Sequence, residues 1–452
     1  MRNRLAEAIR NCGADYVEIR HEERTLSRIN YRGRQLEDAS LSSDTGGCVR
    51  ALVNGGWGFA SFNDTDVLRD SVARAVEDAR HGSGEPLVLQ EREPNEASVA
   101  SLPRRSVGAV SLEEKKTVLD EYNSIIMSSP RIQSSQVSYS DAERVVRYAS
   151  SDGSYIEQKI PDLSLRLTAI AREGDEVQQA GASLGSVGDF AAIEELQDEA
   201  QEVARRAAAL LDAATVKGGE YTVVLDPILA GVFTHEAFGH LSEADLVYQN
   251  PQLRELMMMG RRFGESHLNI VDDATLPSLR GSYSYDDEGT PGQRTYLIRD
   301  GVLVGRLHSR ETAARMGEAP SGNARAISYR HSPIVRMSNT YIEPGDVSLK
   351  DMLADIEEGV YVKDWYGGQT SLEMFTFSAG EAYMIRNGKL AELLRPVVLT
   401  GNVFNTLERI DAIGNDLDMN QGGGCGKGGQ SPLPVSNGSP HIRISRCIVG
   451  GR

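Results

Sequence analysis

Apolar residues recur at helical spacing at the start of the chain and alternate beyond residue 15, which predicts a short helix and then strands. Residues 2–11 read as an amphipathic helix stopped at Gly13, and residues 16–20 and 26–30 read as strands. In VRALVNGGWGFAS, residues 49–61, apolar positions flank Asn54-Gly55, a pair suited to the positive φ angles of a two-residue hairpin turn. Val67, Leu68, Val72 and Val76 then share one helical face within 64–80. From 82 to 108 Gly, Pro, Ser and charges replace any period, and the stretch reads as a linker or a long surface crossing. Ser111 and Glu114 make a capping-box pair that opens a helix to about Met127. Strand patterns come next at 136–139, 144–149, 155–159 and 163–172, with Asp152-Gly153 as a further hairpin turn, and 190–214 reads as a long helix.

A second region starts near Lys217. Residues 221–225 form an apolar strand pattern, and Asp226-Pro227 is a helix start with Asp as N-cap and Pro in the first turn. Beyond residue 290 the pattern turns β-rich, with hairpins predicted at Asp300-Gly301 and Asn387-Gly388 and a short helix at 348–360. Residues 420–440 are dense in Gly and Pro and read as loop. Mixed helices and strands with prominent hairpins predict an α+β fold rather than a doubly wound parallel sheet. The expected organisation is an N-terminal α/β domain over 1–215, its parts 1–81 and 109–215 joined by the linker 82–108, and a C-terminal β-rich domain over 216–452.

Bulk properties narrow the function classes. A chain of 452 residues is long for one domain. A formal charge of −17 without any dense Lys/Arg run argues against a nucleic-acid partner. No segment reaches the roughly 18 apolar residues that span a bilayer, and the first residues have no apolar signal core. The expectation is a cytoplasmic protein with no membrane partner. The four cysteines, Cys12, Cys48, Cys425 and Cys447, contain no C-x-x-C pair and do not make a secreted disulfide framework, with Cys425–Cys447 kept as a minor alternative pairing.

The chemistry concentrates in FTHEAFGH, where His235-Glu236-Ala-Phe-Gly-His240 is an H-E-x-x-x-H motif. It is one residue longer than the H-E-x-x-H of zinc proteases. At 3.6 residues per turn, positions five apart point roughly 140° away from each other. Both imidazoles reach one ion only if the helix widens into a π-bulge or ends near the second histidine, so a distortion is predicted at 237–240. Two histidines do not complete a catalytic zinc site, which uses three protein ligands and one open position. Glu243 and Asp245 are candidates, as ligands or as partners of ligands, and so is Cys425 in GGGCGKGGQSP. That glycine-rich stretch formally fits G-x-G-x-x-G, but prolines come where a helix is needed. A P-loop fails as well, because Lys427 is followed by Gly. Without further context, two ordinary helix histidines explain the motif about as well.

The chain also resembles the TldD/PmbA family of metallopeptidases, in particular its metal-bearing TldD-type members. The shared stretches run nearly end to end: GADYVEIR, THEAFGH, SYSYDDEGTPGQRTYLIRDGVL, SGNARAISYRHSP, YGGQTSLEMFTFSAGEAYMIRNGK and GNDLDMNQGGGCGKGGQSP. The resemblance implies a zinc ion held by His235, His240 and Cys425, with Glu236 as catalytic acid/base. It implies two lobes, the C-terminal one β-rich and carrying the H-E-x-x-x-H helix. It further implies hydrolysis of unfolded or small peptides, and a homodimer or a heterodimer with a PmbA/TldE-like paralogue. Leu241-Ser242-Glu243 stands where the family usually has Gly-Leu-Glu, which bears on substrate preference and not on the ligands. Tyr329 and His331 are weighed as oxyanion helpers, and Gly367-Gly368-Gln369 to Phe377 as a strand edge for extended peptide. The competing function is a regulatory or structural partner that holds zinc without turnover.

Overall fold

Charged residues sit inside long strands of this protein, because they find partners there. In the computed structural model, which describes residues 1–82, 85–90, 92–101, 103–371 and 373–451, the strand Tyr16–Arg32 runs without a break. The sequence HEERT at 21–25, which reads as a gap between two strands, lies within it. Arg20 pairs with Glu22 at 2.9 Å, and Glu23 with Arg147 of a neighbouring strand at 2.5 Å, so both glutamates are paired within the sheet. The expected strands at 136–139 and 144–149 likewise fuse into Ile132–Ser150, and those at 155–159 and 163–172 into Tyr155–Glu173.

These strands, with Gln35–Val53, Gly56–Phe62, Glu96–Ala100 and Glu176–Ser186, form one seven-stranded sheet. The turns carry the predicted chemistry: φ is +50° and +84° at Asn54 and Gly55, and +94° at Gly153. Helices Leu68–His81 and Leu112–Ser128 pack their apolar faces on this sheet, and Ser111 caps the second through Glu114 N–H. The expected helix at 190–214 is a short 3₁₀ turn, Phe190–Ile193, followed by Gln197–Leu210. Within the stretch 82–108, read as a linker or a long surface crossing, Glu96–Ala100 is a short strand that pairs in parallel with 155–159. Residues 83, 84, 91 and 102 of that stretch lie outside the described residues.

The C-terminal lobe holds two larger sheets. In one, Glu358–Ser371, Gly219–Leu225, Ile442–Gly451, Val397–Asn402 and Met374–Arg386 pair in a circuit that closes on itself. The other is six-stranded and has Ile270–Asp273, Asn339–Ile342 and Ser436–Ser439 at its centre. Between them runs the helix Pro227–Phe233, whose Phe233 packs edge-on against Phe375 and Phe377. The structure is therefore α+β with two lobes. Buried ion pairs join the lobes: Arg50 bonds Glu18 at 2.7 Å within the N-terminal sheet and Glu288 at 2.8 Å across the junction.

Asp226 starts the central helix as predicted. Its Oδ1 accepts from Leu229 N–H at 2.8 Å. The residue is 3% exposed, and burial, with help from the charge of Asp364, pushes its carboxyl up to about 7. The unfolded carboxyl titrates near 3.9. The folded form therefore holds its proton through a pH range in which the unfolded form ionises, and wild type loses stability as pH rises from about 4 to 7. Asp226→Asn keeps a capping oxygen without that penalty. Its stability relative to wild type is expected to rise between pH 4 and pH 8 by on the order of 3 kcal/mol, read from urea unfolding. A pH-independent difference would show that the ionised carboxyl carries no cost.

Candidate active site

The helix from Pro227 widens where the five-residue spacing requires it. Residues Thr234–Gly239 form a π-helical turn, followed by a 3₁₀ turn at His240–Ser242. His240 N–H donates to the His235 carbonyl, the i→i+5 bond that brings the two residues onto one side. Their rings lie 5.2 Å apart, centroid to centroid. Local hydroxyls favour the widening: Thr234 Oγ1 donates to the Ala230 carbonyl at 2.8 Å and Ser242 Oγ to the Phe238 carbonyl at 3.0 Å. Gly239 leaves room for Met337, whose Sδ would lie 2.1 Å from a Cβ at that position and would have to move aside.

Cys425 meets the histidines from the other end of the lobe. The stretch expected as loop contains the hairpin Gly424–Lys427 with Gln430–Pro434, turning through Gly428 and Gly429 at φ +57° and +75°. Backbone pairing needs no apolar side chains, so the glycine-rich composition concealed it. Fully buried Arg336 holds the hairpin, donating to the Cys425 carbonyl at 2.7 Å and the Gln430 carbonyl at 3.1 Å. Cys425 Sγ lies 3.5 Å from His240 Nε2. One donor atom each from His235, His240 and Cys425 falls within 4.8 Å of the others, the one such convergence of three among the described residues. All four cysteines are free, so the Cys425–Cys447 pairing is absent.

The electrostatics suit a cation. Burial pushes the Cys425 thiol up, but the charges and hydrogen bonds of His235 and then His240 overturn this and bring it down to about 4, which favours the thiolate. Burial lowers His240, while Glu243 and Cys425 raise it further, for a net upward shift. His235 is 3% exposed, and its Nδ1 has no hydrogen-bond partner. Two imidazoles and a thiolate form a borderline-soft donor set that fits zinc.

Of the two carboxylates weighed as ligands, Glu243 is fully buried and takes His240 Nδ1 at 2.9 Å. Lys427 Nζ bonds Glu243 at 3.0 Å, Asp245 at 2.6 Å and the Val335 carbonyl at 2.8 Å. Burial raises Glu243, but His240 and Lys427 more than compensate and hold it below its ordinary range. Neither carboxylate joins the three converging donors. Lys427 was visible in the sequence only as a failed P-loop lysine, and no spacing rule connects it to residues 243 and 245. Tyr329 and His331 turn elsewhere. Tyr329 Oη donates to Asp44 at 3.1 Å and accepts from Asn63 at 2.6 Å, while His331 Nδ1 pairs with Ser328 Oγ at 3.1 Å.

An open cavity of about 600 Å³ faces this cluster, lined by Glu236, His240, Leu246, Leu253, Gln369 and Lys427 among others. Gly368, Gln369 and Thr370 form one wall. They belong to Glu358–Ser371, whose parallel pairing with Gly219–Leu225 stops at Val362. Beyond that point its one paired neighbour among the described residues is Met374–Arg386.

Three metal-type donors, two of them buried, converge beside a cavity whose lining includes the carboxylate of Glu236, an arrangement of the kind that metal-dependent hydrolases use. The chain belongs to the PmbA/TldD metallopeptidase family. Three family models cover it, described as PmbA/TldA metallopeptidase domain 1 at residues 17–83, central domain at 105–211 and C-terminal domain at 218–451. A metalloprotease of Synechocystis is 46% identical over 97% of this chain and 95% of its own. A zinc metalloprotease TldD homolog of Saccharolobus solfataricus is 32% identical over 97% of each chain. The fold matches the crystal structure of TldE from Thermococcus kodakarensis with a TM-score of 0.78 at 18% identity, covering 99% of this chain and 100% of that one. No described helix is long and apolar enough to cross a membrane.

Proposed function

We propose that this chain is a zinc-dependent peptidase that hydrolyses unfolded or small peptides. The observation that carries the reading is the convergence of His235, His240 and Cys425 next to Glu236 on the cavity wall. His235, His240 and Cys425 hold the metal, and Glu243 orients His240 through Nδ1. Bound zinc supplies a Lewis acid for the peptide carbonyl and an acidified water. Glu236 takes the proton from the attacking water and returns it to the leaving amine. The free edge at residues 368–370 aligns an extended peptide by main-chain hydrogen bonds, which favours unfolded substrates over folded ones. The chain works from the cytoplasm, as two units bounded near residue 215, paired with itself or with a TldE-like paralogue.

The reading is tested by the zinc content of the purified protein and by cleavage of a flexible peptide. About one zinc per chain with cleavage supports it. Zinc without cleavage, even after a paralogue is supplied, favours a regulatory metal-holding role. No zinc overturns the site assignment. Glu243→Gln is expected to weaken zinc binding about 10- to 100-fold, because His240 loses its anionic partner. Chelator competition measures this, and an unchanged affinity would leave Glu243 with a packing role.

A further inference from the structure

The root of the Cys425 hairpin is tied to the other lobe through a residue of its own lobe. Arg280, whose side chain is 6% exposed, spans the junction. Its Nε and Nη2 donate to the two carboxylate oxygens of Asp162, on the N-terminal strand Tyr155–Glu173, at 2.6 and 2.9 Å. Its Nη1 donates to the carbonyls of Gln421 and Gly423, both at 2.8 Å, and its backbone N–H donates to Gln421 Oε1 at 3.1 Å. One guanidinium therefore binds a carboxylate of one lobe and two carbonyls just ahead of Cys425 in the other.

A second observation is steric and independent of charge. A Cβ at Gly422 would lie 2.3 Å from the Ser183 carbonyl, and one at Gly185 would lie 2.2 Å from the Gln421 carbonyl oxygen. Ser183 and Gly185 belong to the strand Glu176–Ser186 of the N-terminal sheet. The two main chains touch where no side chain fits, so the hairpin root is seated on that sheet.

We propose that Asp162, acting through Arg280, is a positioning residue for Cys425, so that the N-terminal lobe sets how the thiolate approaches the two histidines. This rests on reading His235, His240 and Cys425 as metal ligands. A bidentate arginine–carboxylate pair fixes the plane of the guanidinium and hence the two carbonyls it holds. Those carbonyls fix the direction in which the chain enters the hairpin. Arg336 holds the Cys425 carbonyl and Glu243 holds Lys427, two residues beyond it, so the cysteine is constrained on both sides. Without the Asp162 carboxylate, Arg280 loses its anchor and one end of that constraint goes. Metal sites are sensitive to displacements of well under an ångström in a single donor.

The test uses the full chain as wild type, Asp162→Ala, Asp162→Glu and Arg147→Gln. The last breaks a different ion pair of the same sheet, with Glu23 and Glu157. Zinc affinity is read by chelator competition, and the reaction of metal-free Cys425 with iodoacetamide by peptide mass spectrometry. Asp162→Ala is expected to weaken zinc binding about tenfold, at the low end for groups that support a ligand. It is also expected to speed Cys425 labelling roughly fivefold, as a buried thiol gains local openings. Asp162→Glu recovers most of both effects, and Arg147→Gln matches wild type. Wild-type values in Asp162→Ala, or equal changes in Arg147→Gln, overturn the proposal. If wild type binds no zinc, the metal reading fails on its own, and the labelling rates alone decide the clamp.

Discussion

Glu236→Ala is expected to reduce peptide cleavage by about three orders of magnitude while zinc content stays at the wild-type level. The split comes from position. Glu236 lies between the histidines in sequence but lines the cavity rather than joining the three converging donors. In the proposed mechanism its loss removes the group that shuttles the proton and leaves the three converging donors in place. The π-helical turn keeps its backbone bonds, because alanine is a good helix former and no hydrogen bond of the turn uses the Glu236 side chain. Steady-state cleavage of a flexible peptide, with metal analysis of the same sample, decides the matter. Loss of zinc together with activity would recast Glu236 as a ligand or a structural residue. Retained activity would remove it from the reaction.

Cys425→Ser is expected to weaken zinc binding by at least about 100-fold and to abolish cleavage with it, since one of three donors goes and a neutral hydroxyl is a poor substitute for a thiolate. The size of the effect rests on the charge at that position. Its two imidazole neighbours bring the thiol down to about 4, which favours the anionic form that zinc takes. The hairpin should survive the change, because Arg336 grips the Cys425 carbonyl and not its sulfur. Chelator competition and thermal unfolding of the metal-free protein separate the two effects. A serine variant that holds zinc as wild type does would return Glu243 or Asp245 to the set of candidate ligands.

A helix distortion near the second histidine was legible from the sequence, although the spacing left a widening and an early end equally open. Histidines five apart cannot share a side of a regular helix, and the backbone yields where Gly239 leaves room. The turns at Asn54-Gly55, Asp300-Gly301 and Asn387-Gly388 were legible for a related reason, since few residues accept their positive φ angles. Extended structure was underestimated where its stabilisation comes from elsewhere. HEERT reads as a break until Arg147 and Arg20 are known to lie beside it. Glu176–Ser186, with QQAGASLG at its centre, has no alternation to read. The choice among Glu243, Asp245 and Cys425 was open on residue chemistry alone, and the family resemblance favoured the cysteine. Geometry now sets Cys425 beside both histidines and Glu243 behind one of them. Arg280 and Arg336 were not legible at all, because each acts on main-chain carbonyls, which leave no mark in sequence.

His240 and Cys425 touch although 185 residues separate them. During synthesis the first part of the site is made long before the last. At ordinary rates of chain elongation the interval is on the order of ten seconds or more. Throughout it the growing polypeptide carries two histidines and no thiolate partner for them. For the peptidase proposed above, this layout delays competence until the segment that carries Cys425 has been made and has closed on the two histidines.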